Sequence, residues 1–317
     1  MYHEELKLKF FKDIKWAKNT IPKRQQYFSL IGKTEDRYHK DVAEMTVDEL
    51  ICAIKETHRV SGLELCDSTY GLKQYISWYD KTIKDSLTKQ REEIINNFDP
   101  LDYAEELIDF GPCYTFNQIE SMISKVYSQT DGFLIWPAFV LAWIGLSVSE
   151  IVDLKEENFT WYNKQIKIGG EVFQFNRAIY DILKIYASTT TGWRKQNRVF
   201  QVKLVDVGYF LKPTVTQNSK KIPSQVTKKQ IAAAFDRFNA LYQEQENDAT
   251  FLSHQFVWRM GAFDRLSQLD SQTEGGIANA TPKTISATYR TTANNRTKKL
   301  ILAEYQIYKK KVAEVVK

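Results

Sequence analysis

The chain has 317 residues, 43% hydrophobic and 26% charged, ordinary proportions for a globular protein and a length that predicts two domains rather than one. Its cysteines, Cys52, Cys66 and Cys113, have no C-x-x-C spacing and leave one thiol over in any pairing, so a reduced, cytoplasmic chain is expected rather than a disulfide framework. The longest apolar run, Phe133 to Leu146, falls short of the ~20 residues that cross a bilayer and contains Pro137, and no basic-then-apolar leader opens the sequence, so neither a membrane span nor secretion is expected.

Charge is distributed unevenly. Residues 1–110 carry 17 basic and 21 acidic side chains, and residues 111–317 carry 27 and 18, so a net charge of −4 is followed by one of +9. Residues 181–240 concentrate the excess, with 11 basic against 3 acidic. Such a cluster fits a nucleic-acid footprint, and equally a solvated lysine-rich surface.

In chain order, apolar residues at 6, 8, 10, 11, 14 and 16 predict a first helix over Leu6–Trp16. Thr46 followed by Glu49 is a capping-box signature that starts a second helix, and Tyr70–Ile83 is a third. Residues 84–114 are charged, then acidic, and end in the turn chemistry of Asp109-Phe-Gly-Pro112, so the linker is placed there. Thr115 caps the next helix, with apolar residues at 119, 123 and 126. Alternation around Gly169-Gly170 predicts a hairpin, followed by a helix over Arg177–Tyr186 and a loop over Ser188–Asn197. A strong helix starts at Thr227, another spans Phe251–Leu269, and the tail from Asn294 ends in an amphipathic helix.

The segment Leu141-Ala-Trp-Ile-Gly-Leu-Ser147-Val-Ser-Glu150-Ile-Val-Asp-Leu154 resembles the first signature box of tyrosine recombinases, the phage integrases. In that family the box reads Gly-Leu-Arg, and its arginine binds the scissile phosphate. Ser147 occupies that place here, a single neutral donor where a guanidinium would supply a charged planar fork. The resemblance implies a mainly α fold with a small β-sheet: a helical core-binding-like domain over 1–110, its linker near 84–114, and a recombinase catalytic-like domain over 115–317.

Followed position by position, the resemblance implies a site emptied of its chemistry. The family's hairpin lysine is absent from the Gly169-Gly170-Glu171 turn, and Lys167 just before it reads as a solvent-facing strand residue. In the second box Thr250 stands for the histidine and Ser253 for the arginine, with His254 surviving at a less essential position. Tyr289 fills the nucleophile position without the usual Gly-His pair before it, and Tyr305 and Tyr308 are alternatives for that place. A phenol with a pKa near ~10 needs cations and an acid/base partner to attack a phosphodiester. Catalytic residues and a metal or cofactor are therefore not expected. The positions Ser147, Thr250, Ser253 and Tyr289 are read as vestigial.

Double-stranded DNA is the expected partner. Lys220 and Lys221 precede the helix that carries Lys228, Lys229 and Arg237, Trp193 leads a second basic cluster of Arg194, Lys195 and Arg198, and His254 is added from the second box. Recombinases place the corresponding helix in the major groove, so the lysines are expected on phosphates and Arg237 on a guanine edge; Gln225 and Gln230 are candidate adenine readers. Leu300, Ile301, Tyr305 and Ile307 of the tail pack in cis or on a second copy. The implied function is a catalytically inactive, sequence-specific DNA-binding regulator of the kind represented by integrase-like lysogeny repressors of SPβ-type prophages. The alternatives are an accessory subunit of a recombinase, with a homo-oligomer or a phage-encoded protein as partner, and an atypical active recombinase.

Overall fold

The computed structural model describes residues 3–59, 61–84, 89–195, 199–215, 223–246 and 251–315. It divides into two compact units, Met1–Cys113 together with Thr292–Lys317, and Tyr114–Thr291.

The first unit is helical. It contains α1 (Glu4–Asp13), α2 (Thr20–Tyr38), α3 (Val47–Lys55), α4 (Gly62–Tyr79), α5 (Lys89–Asn97), α6 (Ala104–Leu107) and the C-terminal helix Asn295–Val315. The expected capping box opens α3: Thr46 Oγ1 accepts from Glu49 N at 3.2 Å, and Glu49 Oε2 accepts from Thr46 N at 2.8 Å. Phe10, Phe28, Ile31, Leu50, Ile54, Leu72, Tyr75 and Ile76 form its core. A charged group is buried in it, with Lys7 Nζ 2.7 Å from Glu35 and 3.2 Å from Asp41, and the Tyr75 hydroxyl donating to Asp41 at 2.9 Å.

Residues 84–114, within which the linker is placed, contain α5 and α6, because Ile94, Leu101, Ala104 and Leu107 are buried and hold the segment against the helical core, and the division between the units falls inside the stretch, between Cys113 and Tyr114. Two expectations change in this unit. The C-terminal helix belongs here and not with residues 115–291. Ile301, Tyr305, Ile307 and Tyr308 are buried, the helix packs on α4 and α6, and Glu304 accepts from Gly62 N, at the start of α4, at 2.6 Å. Its apolar stripe is thus used in cis, and Tyr305 and Tyr308 lie in a different unit from the nucleophile-like position.

The second unit is built around α8 (Gly132–Trp143), which is buried along nearly its whole length. Against it pack α7 (Phe116–Val126), α10 (Arg177–Ser188), α11 (Lys228–Glu246) and α12 (His254–Gln272); α9 (Val148–Asp153) follows α8, and α13 (Pro282–Tyr289) packs on α12. A Cβ at Gly261 would collide with the Trp143 carbonyl, so glycine there permits the close approach of α12 to α8.

Two antiparallel three-stranded sheets complete the unit. One has the order β1 (Phe159–Thr160), β2 (Gln165–Ile168), β3 (Glu171–Gln174). The pairing of Ile168 with Glu171 leaves Gly169-Gly170 as a two-residue turn with φ of 56° and 85°, the positive values a type I′ hairpin requires. The other has the order β4 (Thr191–Lys195), β5 (Val199–Leu204), β6 (Thr214–Val215). The stretch read as a loop at 188–197 therefore contains a strand: Gly192 fits tightly against the Phe133 ring, and pairing to β5 outweighs loop-like composition. Among the described residues no helix is long and apolar enough to cross a membrane, and no group of side chains is arranged to hold a metal ion.

Candidate functional site

The first box forms a turn between α8 and α9. Gly145, with φ of 110°, reverses the chain, and Ser147 caps α9 in a second capping box: its Oγ accepts from Glu150 N at 3.3 Å, and Glu150 Oε2 accepts from Ser147 N at 2.7 Å. The hydroxyl at the phosphate-arginine position is thus spent on a helix end.

A guanidinium does reach this turn, from elsewhere in the chain. Arg290 follows α13 in the left-handed conformation, φ 58°, uncommon for a residue with a side chain. Its Nη1 donates to Gly145 O at 2.6 Å and to Glu150 at 2.9 Å, and its Nη2 donates to Glu150 at 2.9 Å and to Glu171 at 2.7 Å. The Arg290 bonds, with the Ser147 N–H, hold the Glu150 carboxyl down at about 2 against the burial that would raise it. Glu171 stands in the hairpin where the family carries its lysine, so the charge there is inverted. Lys167 is exposed on β2, as expected.

Arg265 of α12 closes the other side. It donates to the Trp143 carbonyl and to Thr288 O, and burial lowers its pKa to about 10, which leaves it charged at neutral pH. Trp258 Nε1 donates to Gly145 O at 2.9 Å, so that carbonyl accepts from both Trp258 and Arg290. The Tyr289 ring packs edge-on to Trp258 with centroids 5.4 Å apart, and 5.8 Å from Phe263. Arg265 and Arg290 offset Glu150 and Glu171, so these four side chains carry no net charge toward an incoming phosphate.

Ser253, read as vestigial, is the N-cap of α12, its Oγ accepting from Phe256 N at 3.1 Å. His254 is half-buried and bonded to the Leu146 backbone carbonyl, its Nε2 is enclosed without a partner, and burial pushes its pKa below the ordinary histidine value. Thr250 lies outside the described residues, as do Lys220, Lys221 and Arg198; Lys195 is described only as backbone of β4.

The remaining basic residues fall into two settings. Lys228 and Lys229 are exposed in the first turn of α11 and make no ion pair with a described residue. Arg194 and Arg237, distant in sequence, converge on Asp131, a fully buried carboxylate at the start of α8: Arg194 Nε lies 2.8 Å from Oδ1 and Arg237 Nε 2.5 Å from Oδ2. Each guanidinium uses its Nε on Asp131 and keeps both Nη groups for another acceptor. Arg237, expected on a guanine edge, is thus anchored through its Nε on Asp131. The glutamines are engaged as well. Gln230 forms a capping box with Thr227, at 2.7 and 3.3 Å, and Gln225 Nε2 donates to Val152 O and Asp153 at 2.7 and 2.8 Å.

Sequence reasoning missed Asp131, Arg265 and Arg290. Arg290 had a signal in its position directly after Tyr289. Asp131 had none, since its partners lie 63 and 106 residues away.

The family described as "MrpR, N-terminal core-binding domain" matches residues 1–81. Core-binding domains precede the catalytic domain in tyrosine recombinases, and the second unit carries the first-box turn, hairpin and following helices in that family's order. Residues 1–81 thus match a core-binding domain, and the order of elements in the second unit resembles that of tyrosine recombinases. Among solved structures, the Tn1549 transposon integrase in complex with a circular intermediate DNA is 14% identical, with a TM-score of 0.44, over 93% of this chain and 92% of that one. XerA recombinase is 12% identical with a TM-score of 0.39, over 98% of each chain. The integrase from mycobacterium phage Brujita is 10% identical with a TM-score of 0.35, over 98% of this chain and 90% of that one. No curated protein matches the sequence.

Proposed function

We propose that this chain is a sequence-specific DNA-binding regulator of the phage-repressor kind, on a recombinase scaffold that no longer cuts DNA. The observation that carries the reading is Arg290. The guanidinium that reaches the first-box turn is tied to Glu150, Glu171 and Gly145 O, while Ser147 and Ser253 cap helices. Stabilising a pentacovalent phosphorane requires uncompensated donors aimed at the developing charge. Here both Nη groups of Arg290 already have internal acceptors.

DNA binding in this reading rests on the core-binding domain and on the basic residues of the second unit. Lys228 and Lys229 neutralise phosphates. Arg194 and Arg237, fixed on Asp131 through their Nε atoms, act together on the backbone, where they position the protein without reading sequence. The test is incubation of the full chain with duplexes from its own locus, followed by denaturing gels and footprinting. A protected operator without a protein–DNA adduct supports the reading. A phosphotyrosyl adduct lost in Tyr289→Phe refutes it and restores an atypical recombinase.

A further inference from the structure

A cavity of about 250 Å³ lies within the first unit, between α4, the segment after α5 and the start of the C-terminal helix. It is just below the ~300 Å³ at which drug-sized pockets begin, a size for a metabolite-scale occupant. Two cations line it, Lys73 from α4 and Arg296 from the C-terminal helix. Lys73 donates to Ile95 O at 3.0 Å, and burial lowers its pKa, so a nearby anion would stabilise its charged form. Arg296 lies against the Cys66 thiol and makes no ion pair with a described residue.

The one carboxylate in the lining, Asp99, accepts from Lys299 at 2.6 Å and from Leu101 N at 3.1 Å; Lys299 is shared with Asp102, and Asp99 also attracts Lys73 and Arg296, so the three cations Lys73, Arg296 and Lys299 outweigh the two carboxylates by one charge. The lining also contains Thr69, which is 2% exposed and whose Oγ1 is enclosed without a hydrogen-bond partner. A buried hydroxyl without a partner is unfavourable, and a ligand oxygen that presses aside the side chains between Oγ1 and the cavity would satisfy it.

We propose that this cavity binds a small organic anion, a phosphate monoester or a carboxylate, held by Lys73 and Arg296 and by a hydrogen bond to Thr69 Oγ1. A backbone phosphate of duplex DNA shares that chemistry. The depth of Thr69 favours the free small anion, since a phosphodiester within a duplex presents its oxygens only at the mouth. The bound anion ties the root of the C-terminal helix to α4. Occupancy therefore reports as stabilisation of the first unit, independently of whether the second unit cuts DNA.

The experiment uses the full chain at constant ionic strength, titrated with inorganic phosphate, methyl phosphate and succinate against chloride, followed by calorimetry and thermal unfolding. The expected result is saturable binding near one per chain, with the Tm raised by about 5 °C at a hundredfold excess over Kd. Arg296→Gln and Thr69→Val, each with the parent's circular dichroism spectrum, should weaken it at least tenfold. Unsaturable binding, or equal affinity in both variants and the parent, means an adventitious ion only and overturns the proposal. No binding of any probe combined with weaker duplex binding in Arg296→Gln also overturns it, in favour of a DNA phosphate contact.

Discussion

Replacing Glu150 with glutamine keeps the shape and one acceptor but removes the charge that holds Arg290 at the first-box turn. The carboxyl lies at about 2 in the fold against an ordinary 4.5, chiefly through its hydrogen bonds with Arg290. That gap corresponds to about 3 kcal/mol, and with the two side chains 21% and 23% open to solvent, screening reduces it to about 2 kcal/mol. The sign follows from the depressed pKa. The stabilisation is complete above the unfolded value of 4.5 and is lost as pH falls toward 2, where the folded carboxyl finally protonates. Glu150→Gln should therefore be about 2 kcal/mol less stable than the parent near neutrality, with the difference narrowing steadily below about pH 4.5. Urea unfolding combined with hydrogen exchange of peptides spanning 145–154 and 282–291 reads this locally. A difference under about 0.5 kcal/mol at neutral pH, or one that stays constant down to about pH 3, would refute the assignment of Arg290 as the counter-charge of Glu150.

Four further outcomes are expected. Lys228→Ala with Lys229→Ala should weaken operator and scrambled duplexes alike, by about tenfold, and reduce the slope of log affinity against log salt by about 2, measured by anisotropy titrations at several salt concentrations. Arg237→Ala should also weaken both duplexes together; selective loss on the operator would return it to the role of a base reader. Asp131→Asn should cost about 2 kcal/mol by leaving two guanidiniums without their buried anchor, and should lower duplex affinity even where the fold is retained, which melts and titrations together resolve. His254, with its pKa lowered by burial, stabilises the fold above the ordinary histidine value and less so as pH falls through it, so acidification should destabilise the parent more than His254→Gln, compared by melts on both sides of that value.

How far the sequence revealed the fold depended on the range of the interactions involved. The capping box at Thr46, the cap at Thr115, the Gly169-Gly170 turn and the helix after Thr227 involve residues two or three apart, and each was legible; the capping box at Ser147 was equally local but was not read, because Ser147 was weighed only as a replacement for an arginine. Helix α2 escaped notice, and β4 was read as loop, because propensity at Thr191–Lys195 is overridden by pairing to β5. The site divides the same way. The exposed lysines of α11 and the neutral Ser147 could be read directly. The fates of Arg237, Arg290 and His254 could not, because each is set by a partner more than a hundred residues away: Asp131, Glu150 and the Leu146 carbonyl. The same limit assigned the C-terminal helix to the wrong unit, since Glu304 reaches Gly62 across 242 residues.

In the proposed reading, these ion pairs also account for the direction of change away from an enzyme. An active phosphoryl-transfer site keeps cationic donors without internal acceptors, and that arrangement costs stability which only function repays. Once cleavage is no longer required, a carboxylate placed beside such a donor is favourable: Glu171 in the hairpin contributes a bond to Arg290 at 2.7 Å, and Glu150 holds both of its Nη groups at 2.9 Å. Lys228 and Lys229 are exposed, and Arg194 and Arg237 rest their Nε atoms on Asp131. Compensation at the turn and retention of charge on α11 and β4 are what a scaffold needs to hold DNA without cutting it. A variant that frees Arg290, Glu150→Gln with Glu171→Gln, should then gain duplex affinity at low salt while still forming no covalent adduct, because Tyr289 remains packed between Trp258 and Phe263. Adduct formation by that double variant would mean that Tyr289 keeps its reactivity and that the two carboxylates alone suppress it.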